Sequence, residues 1–72
     1  MKILEKNYPV IGNLRIIMRK QDISVEELSK NSGIAAEDLE KILSNKKVIE
    51  PFHTILLAKA LNVDVNALFQ EP

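Results

Sequence analysis

Apolar residues recur along this chain at intervals of three and four, and no stretch alternates strictly between apolar and polar positions, so the pattern predicts helices and no strand. Val10, Leu14, Ile17 and Met18 stand at i, i+4, i+7 and i+8 and form one stripe of a first helix that starts after Pro9. Asn13, Arg15, Arg19 and Lys20 fall largely on its other side. Three later starts share one device, an apolar residue ahead of the cap that packs on another four positions into the helix. The pairs are Ile23 with Leu28, Ile34 with Leu39, and Val63 with Leu68. Ser24 and Glu27 add a capping box to the first of these, each side chain satisfying an amide that the helix leaves unpaired. Asp64 caps the last alone. Ala35 offers the middle helix no side-chain cap, a loss of about 1 kcal/mol, which Glu37 and Asp38 offset in part through the helix dipole.

Asn31-Ser32-Gly33-Ile34 joins the second and third helices, and Gly33 suits the left-handed conformation that ends a helix and turns the chain sharply. Ser44-Asn45-Lys46-Lys47 is a polar exit from the third helix. Pro51 suits the first turn of a fourth, where its missing amide would be unpaired anyway. Phe52, Ile55, Leu56, Leu57, Ala58, Ala60 and Leu61 make that helix apolar nearly all round, either a central buried element or one shared with a second subunit. The expected fold class is all-α with five helical segments, arranged as an arm over 1–9 and one domain over 10–70.

A chain of 72 residues has room for one core and buries only about 60% of the surface its unfolded form exposes, so every apolar face has to be used. It has no Cys, so neither disulfides nor thiolate metal sites brace it, and a reducing, intracellular setting is expected. The longest nearly unbroken apolar run, 55–61, is interrupted by Lys59 and falls far short of the roughly 20 residues a membrane crossing needs. Met1 to Tyr8 carries charges instead of a secretory core. The expectation is a cytoplasmic protein with no membrane partner. Ten basic and ten acidic side chains cancel, which counts against indiscriminate attachment to nucleic acid. Their distribution is uneven. Residues 1–20 carry Lys2, Lys6, Arg15, Arg19 and Lys20 against Glu5, a net +4. Residues 21–45 carry Asp22, Glu26, Glu27, Glu37, Asp38 and Glu40 against Lys30 and Lys41, a net −4.

The frame Leu14-Arg15, Ile23-Ser24-x-Glu26-Glu27-Leu28-Ser29, Ser32-Gly33-Ile34, Leu39-x-x-Ile42 and Leu57-Ala58-Lys59-Ala60-Leu61-Asn62-Val63 resembles the phage-repressor and Cro family of helix-turn-helix proteins, the lambda repressor-like DNA-binding domains, over about residues 10–69. The resemblance implies a five-helix domain whose helix 3, about 36–43, lies in the major groove and reads base edges near its start, while helix 2 and neighbouring loops hold phosphates. It implies double-stranded DNA as the partner and a role as a sequence-specific transcriptional regulator. By position, the candidates for groove contact are Val25, Ala36, Glu37, Glu40 and Lys41. The family commonly places Gln, Ser, Thr, Arg or Asn at these sites, whereas this chain has two carboxylates, a lysine and two apolar groups. Many members also join an Arg on the first helix to a Glu near the end of the third. The matching positions here are Met18 and Leu43, and the paired loss leaves no charge buried alone.

Glu37, Glu40, Lys41 and Ser44 follow the i, i+3, i+4, i+7 spacing and are expected to share an outward face of net charge −1, opposite Leu39, Ile42 and Leu43. A glutamate can accept a hydrogen bond from the cytosine amino group; a plain solvated helix face is the other reading of the same residues. Asn45, Lys46, Lys47 and the amide of Val25 are placed for phosphate contacts, although solubility alone also accounts for two loop lysines. Val48 and Ile49 either pack under the fourth helix or, as the resemblance implies for this region, lie near a homodimer contact. A symmetric dimer would present two reading helices to half-sites about 34 Å apart. Lys2, Lys6 and Tyr8 are either an arm that touches DNA or a frayed terminus.

His53, the single histidine, has no ligand-spaced neighbour, so a surface or capping role is expected and no metal. The chain offers no nucleophile elbow, no phosphate-cradling Gly-rich loop and no thiol, so neither an enzyme nor a cofactor is expected. The alternative function is a helix-turn-helix fold used as a protein–protein interaction module with little or no DNA binding. Its acidic third helix would then pair with a basic protein partner.

Overall fold

A computed structural model of the protein describes residues 9–70. Four α-helices run over Val10–Gln21 (α1), Val25–Ser32 (α2), Ala36–Leu43 (α3) and Pro51–Leu61 (α4), followed by a 3₁₀ turn at Val65–Leu68. No strand occurs among the described residues, and no helix there is long and apolar enough to cross a membrane. The fifth helical segment is thus a single 3₁₀ turn. Its bonds run from Ala67 N–H to the Asp64 carbonyl and from Phe69 N–H to that of Asn66, three residues apart, a pattern usual for so short a piece. The expected arm, with Lys2, Lys6 and Tyr8, lies outside the described residues.

The starts follow the side-chain chemistry. Ser24 Oγ accepts the Glu27 amide at 3.1 Å while Glu27 Oε1 accepts the Ser24 amide at 3.1 Å, completing the capping box. Asp64 Oδ1 accepts the Asn66 amide at 2.8 Å. α3 begins at Ala35 without a side-chain cap. At α4, the Glu50 amide donates to His53 Nδ1 at 3.0 Å, so the buried imidazole serves as a cap behind Pro51.

α2 packs on α3 and α4, and α1 on α3 and the 3₁₀ turn. The shared core is Val10, Leu14, Leu28, Ile34, Leu39, Ile42, Ile49, Leu57, Ala58, Leu61 and Leu68. Leu28, Leu39 and Leu68, the inner halves of the three apolar pairs, are all sealed in it. Ile49 is buried as well, and Val48 half-buried. α4 is not buried all round. It turns His53, Thr54, Leu57, Ala58 and Leu61 inward and leaves Phe52 and Ile55 outside.

The α2–α3 turn is held by three groups. Gly33 takes φ +80 and its amide bonds to the Ser29 carbonyl at 2.9 Å. Ser29 Oγ donates to the Ile34 carbonyl at 2.6 Å, and Ser32 Oγ accepts the Ile34 amide at 3.2 Å. Two serines therefore satisfy both main-chain groups of the residue that enters the core after the turn, where an unpaired buried polar group would be costly.

The polar side of α1 also has a structural use. Asn13 Nδ2 donates to the carbonyls of Leu68 at 2.7 Å and Gln70 at 2.8 Å. Gln21 Nε2 donates to the Leu61 carbonyl at 2.7 Å, and Arg15 to that of Leu43. One helix thereby supplies donors to the carboxyl ends of α3, α4 and the 3₁₀ turn, where carbonyls lack intrahelical partners.

Candidate nucleic-acid interface

The outer face of α3 follows from its burial pattern. Leu39 and Ile42 are buried and Leu43 is half-buried, which leaves Glu37, Glu40, Lys41 and Ser44 exposed together. Ala36, in the first turn, is half-buried. Val25 opens α2 and is half-buried with its side chain packed against the core. The capping box occupies the amides of Ser24 and Glu27 and leaves those of Val25 and Glu26 outside it. Glu26 and Glu27 add carboxylates to that same turn.

Beyond Leu43 the chain turns through Asn45, a left-handed residue at φ +63. The Asn45 amide bonds to the Ile42 carbonyl at 3.0 Å and the Lys46 amide to that of Lys41 at 2.7 Å, so the helix ends by folding back on its last turn. Asparagine tolerates this conformation better than most residues. The turn brings Lys47 alongside α3, where its Nζ lies 3.1 Å from Asp38 Oδ1. Lys46 points into solvent as an exposed residue. Lys41 Nζ lies 3.2 Å from Glu37 Oε1, one helical turn away. Two of the three lysines in this region are thus already set against carboxylates. The Lys41–Glu37 pair is exposed and the Lys47–Asp38 pair half-buried, and surface pairs of this kind are usually worth under about 1 kcal/mol.

The structure therefore brings Glu37, Glu40 and Lys41 onto one surface, sets Lys46 and Lys47 just beyond it, uses Asn45 to make the turn, and tucks Val25 toward the core. The sequence marks Ser29 and Ser32 as scaffold positions and Asn13 and Arg15 as the polar side of α1, but not the hydrogen bonds they make. Small polar residues on either side of a turn glycine are a signal for the serines. The α1 donors bond to main-chain carbonyls, which every residue carries, so no residue pattern marks their partners.

Among the described residues no group of three potential metal ligands comes together. An open groove of about 370 Å³ is lined by Val48, Ile49, Glu50, Pro51, Thr54 and Phe69. Its one hydroxyl, Thr54 Oγ1, is engaged by the Pro51 carbonyl at 2.6 Å. The groove is apolar and carries no nucleophile–base pair.

The model of the Cro/C1-type helix-turn-helix DNA-binding domain matches residues 13–70. Among solved structures, the restriction-modification controller protein C.AhdI from Aeromonas hydrophila has a similar fold, with a TM-score of 0.83 at 20% sequence identity over 92% of this chain and 100% of that one. No curated protein matches the sequence.

Proposed function

The chain belongs to the family of Cro/C1-type helix-turn-helix DNA-binding domains, and from that premise we propose that it is a cytoplasmic transcriptional regulator that binds duplex DNA sequence-specifically with α3 in the major groove. The observation that supports this most is the α3 surface. Glu37, Glu40, Lys41 and Ser44 stand exposed in one row, and the helix behind them is held by buried Leu39 and Ile42 and by the serine-braced turn. Rigid support for an exposed row is what reading base edges requires.

In this reading Glu37, Glu40 and Lys41 face base edges and Ala36 touches a thymine methyl, while Val25, whose side chain packs toward the core, takes part through its main-chain amide. Asn45, Lys46, Lys47 and the free amides at the start of α2 hold phosphates. Two copies associate through the exposed side of α4, Phe52 and Ile55, and place their reading helices on half-sites about 34 Å apart.

A second reading, an interaction module for a basic protein, draws on the net −1 of the α3 face and on the pairing of Lys41 and Lys47. One experiment separates the two. Isotope-labelled protein is titrated with a mixed-sequence duplex at low salt while each backbone amide is followed by NMR, and salt is then raised. The regulator predicts salt-sensitive shifts gathered on Val25, Ala36 to Lys41 and Asn45 to Lys47, because released counterions mark phosphate binding. An unmoved spectrum above the ~10⁻⁴ M of ordinary non-specific binding sinks the regulator and directs the search to protein partners.

A further inference from the structure

We infer that Glu40 determines specificity on the α3 surface and selects cytosine, an inference that rests on the DNA-binding function proposed above. α3 carries three carboxylates, Glu37, Asp38 and Glu40. Glu37 is 3.2 Å from Lys41 Nζ and Asp38 is 3.1 Å from Lys47 Nζ, so cations of the chain itself partly neutralise both. Glu40 is exposed and has no cationic partner among the described residues. Its main chain is regular, with its carbonyl accepting the Ser44 amide at 3.0 Å, so the side chain projects from an intact helix. In the free chain the unpaired charge of this face is concentrated on one carboxylate.

A carboxylate only accepts hydrogen bonds. In the major groove guanine offers the acceptors N7 and O6, thymine offers the acceptor O4 and a methyl group, and adenine sets its N6 donor beside the N7 acceptor. Cytosine alone offers a donor, its N4 amino group, with no acceptor of its own. Opposite guanine or thymine the Glu40 carboxylate meets another acceptor and loses water without return. Opposite adenine the gain of N6 is opposed by N7. Opposite cytosine it forms a charge-assisted hydrogen bond. Beside a polyanion this contrast rejects wrong bases as much as it rewards the right one.

The test is selection from a randomised duplex pool, at low salt, with the wild-type chain and with Glu40→Gln, both checked for the same helical circular dichroism. Wild type is expected to enrich duplexes with a fixed C·G pair at one position of each half-site, preferred about tenfold over T·A there. Glu40→Gln is expected to convert that position alone to A·T, because a glutamine amide pairs with both N6 and N7 of adenine. If both proteins enrich the same sequences, or the variant binds every sequence more tightly with no base changed, Glu40 is only a solvated charge. The inference is then overturned while DNA binding stands. If neither protein retains any duplex, the inference and the DNA-binding reading fall together.

Discussion

The guanidinium of Arg15, on α1, donates a hydrogen bond to the main-chain carbonyl of Leu43, the last residue of α3. The carboxyl end of a helix carries partial negative charge and unpaired carbonyls, so a cation from a neighbouring helix satisfies both. The side-chain pair that many family members use between these two helices is here replaced by Met18 and Leu43, both half-buried against the core. Arg15 restores the link by another route, from cation to backbone, and returns a positive group to the end of α3.

Arg15→Ala is therefore expected to destabilise the fold by about 1 kcal/mol, at the lower end for charged hydrogen bonds because the group is exposed. For a domain of this length that lowers Tm by roughly 4–8 °C. Arg15→Lys keeps the charge but not the planar fork, and is expected to recover only part of the loss. Thermal melts followed by circular dichroism measure all three proteins. Coincident melts of wild type and Arg15→Ala would show that the bond contributes no stability.

The two glycines are expected to respond in opposite directions. Gly33 holds φ +80, so Gly33→Ala forces a β-carbon into the left-handed region at about 1–2 kcal/mol, although space around it is open. Gly12 lies inside α1, and a β-carbon there would meet nothing within 4 Å, so Gly12→Ala is expected to stabilise by about 0.5–1 kcal/mol. Denaturant midpoints give the sign of each. A Gly33→Ala protein as stable as wild type would remove the conformational account of the turn.

The elements were legible because their signals are carried by side chains. Leu28, Leu39 and Leu68 could be picked out by spacing from Ile23, Ile34 and Val63, and all three are sealed in the core. The Glu37–Lys41 pair follows from i, i+4 spacing in the same way. The Lys47–Asp38 pair spans nine positions around a helix end and depends on the left-handed turn at Asn45, so spacing alone does not reveal it. Val65 to Leu68 is too short for periodicity to separate a 3₁₀ turn from an α-helix. α4 reads as apolar on every side, and only packing decides that Leu57 faces inward and Ile55 outward.

The ion pairs of α3 give a prediction about affinity. Asp38→Asn removes the carboxylate held by Lys47 and one negative charge from α3, so in the DNA-binding reading proposed above affinity for all duplexes is expected to rise several-fold. The dependence of log K on log salt should steepen by up to about 0.9 if Lys47 gains a full phosphate contact. Lys46→Ala is expected to do the reverse, weakening binding uniformly across sequences. Salt titrations by fluorescence anisotropy give both slopes, and identical slopes for the three proteins would exclude the loop lysines from the phosphate contacts.

Phe52, Ile55 and Phe69 are 56%, 53% and 49% exposed, large apolar side chains left outside the core. Phe52 and Ile55 are three residues apart on α4 and so share a face. Burying side chains of this size is worth about 1.5–3 kcal/mol each, and a two-fold axis buries each set twice. The wild-type chain is therefore expected to sediment as a dimer at high concentration and to dissociate on dilution. Phe52→Lys combined with Ile55→Lys leaves the core untouched, so the variant should stay folded yet remain monomeric throughout. On a palindromic site it should lose affinity, because two half-sites no longer bind as one linked unit. On a single half-site it should match wild type. A wild-type chain that stays monomeric at every concentration and fills a palindrome as two independent copies would overturn the dimer and leave the exposed side of α4 without this role.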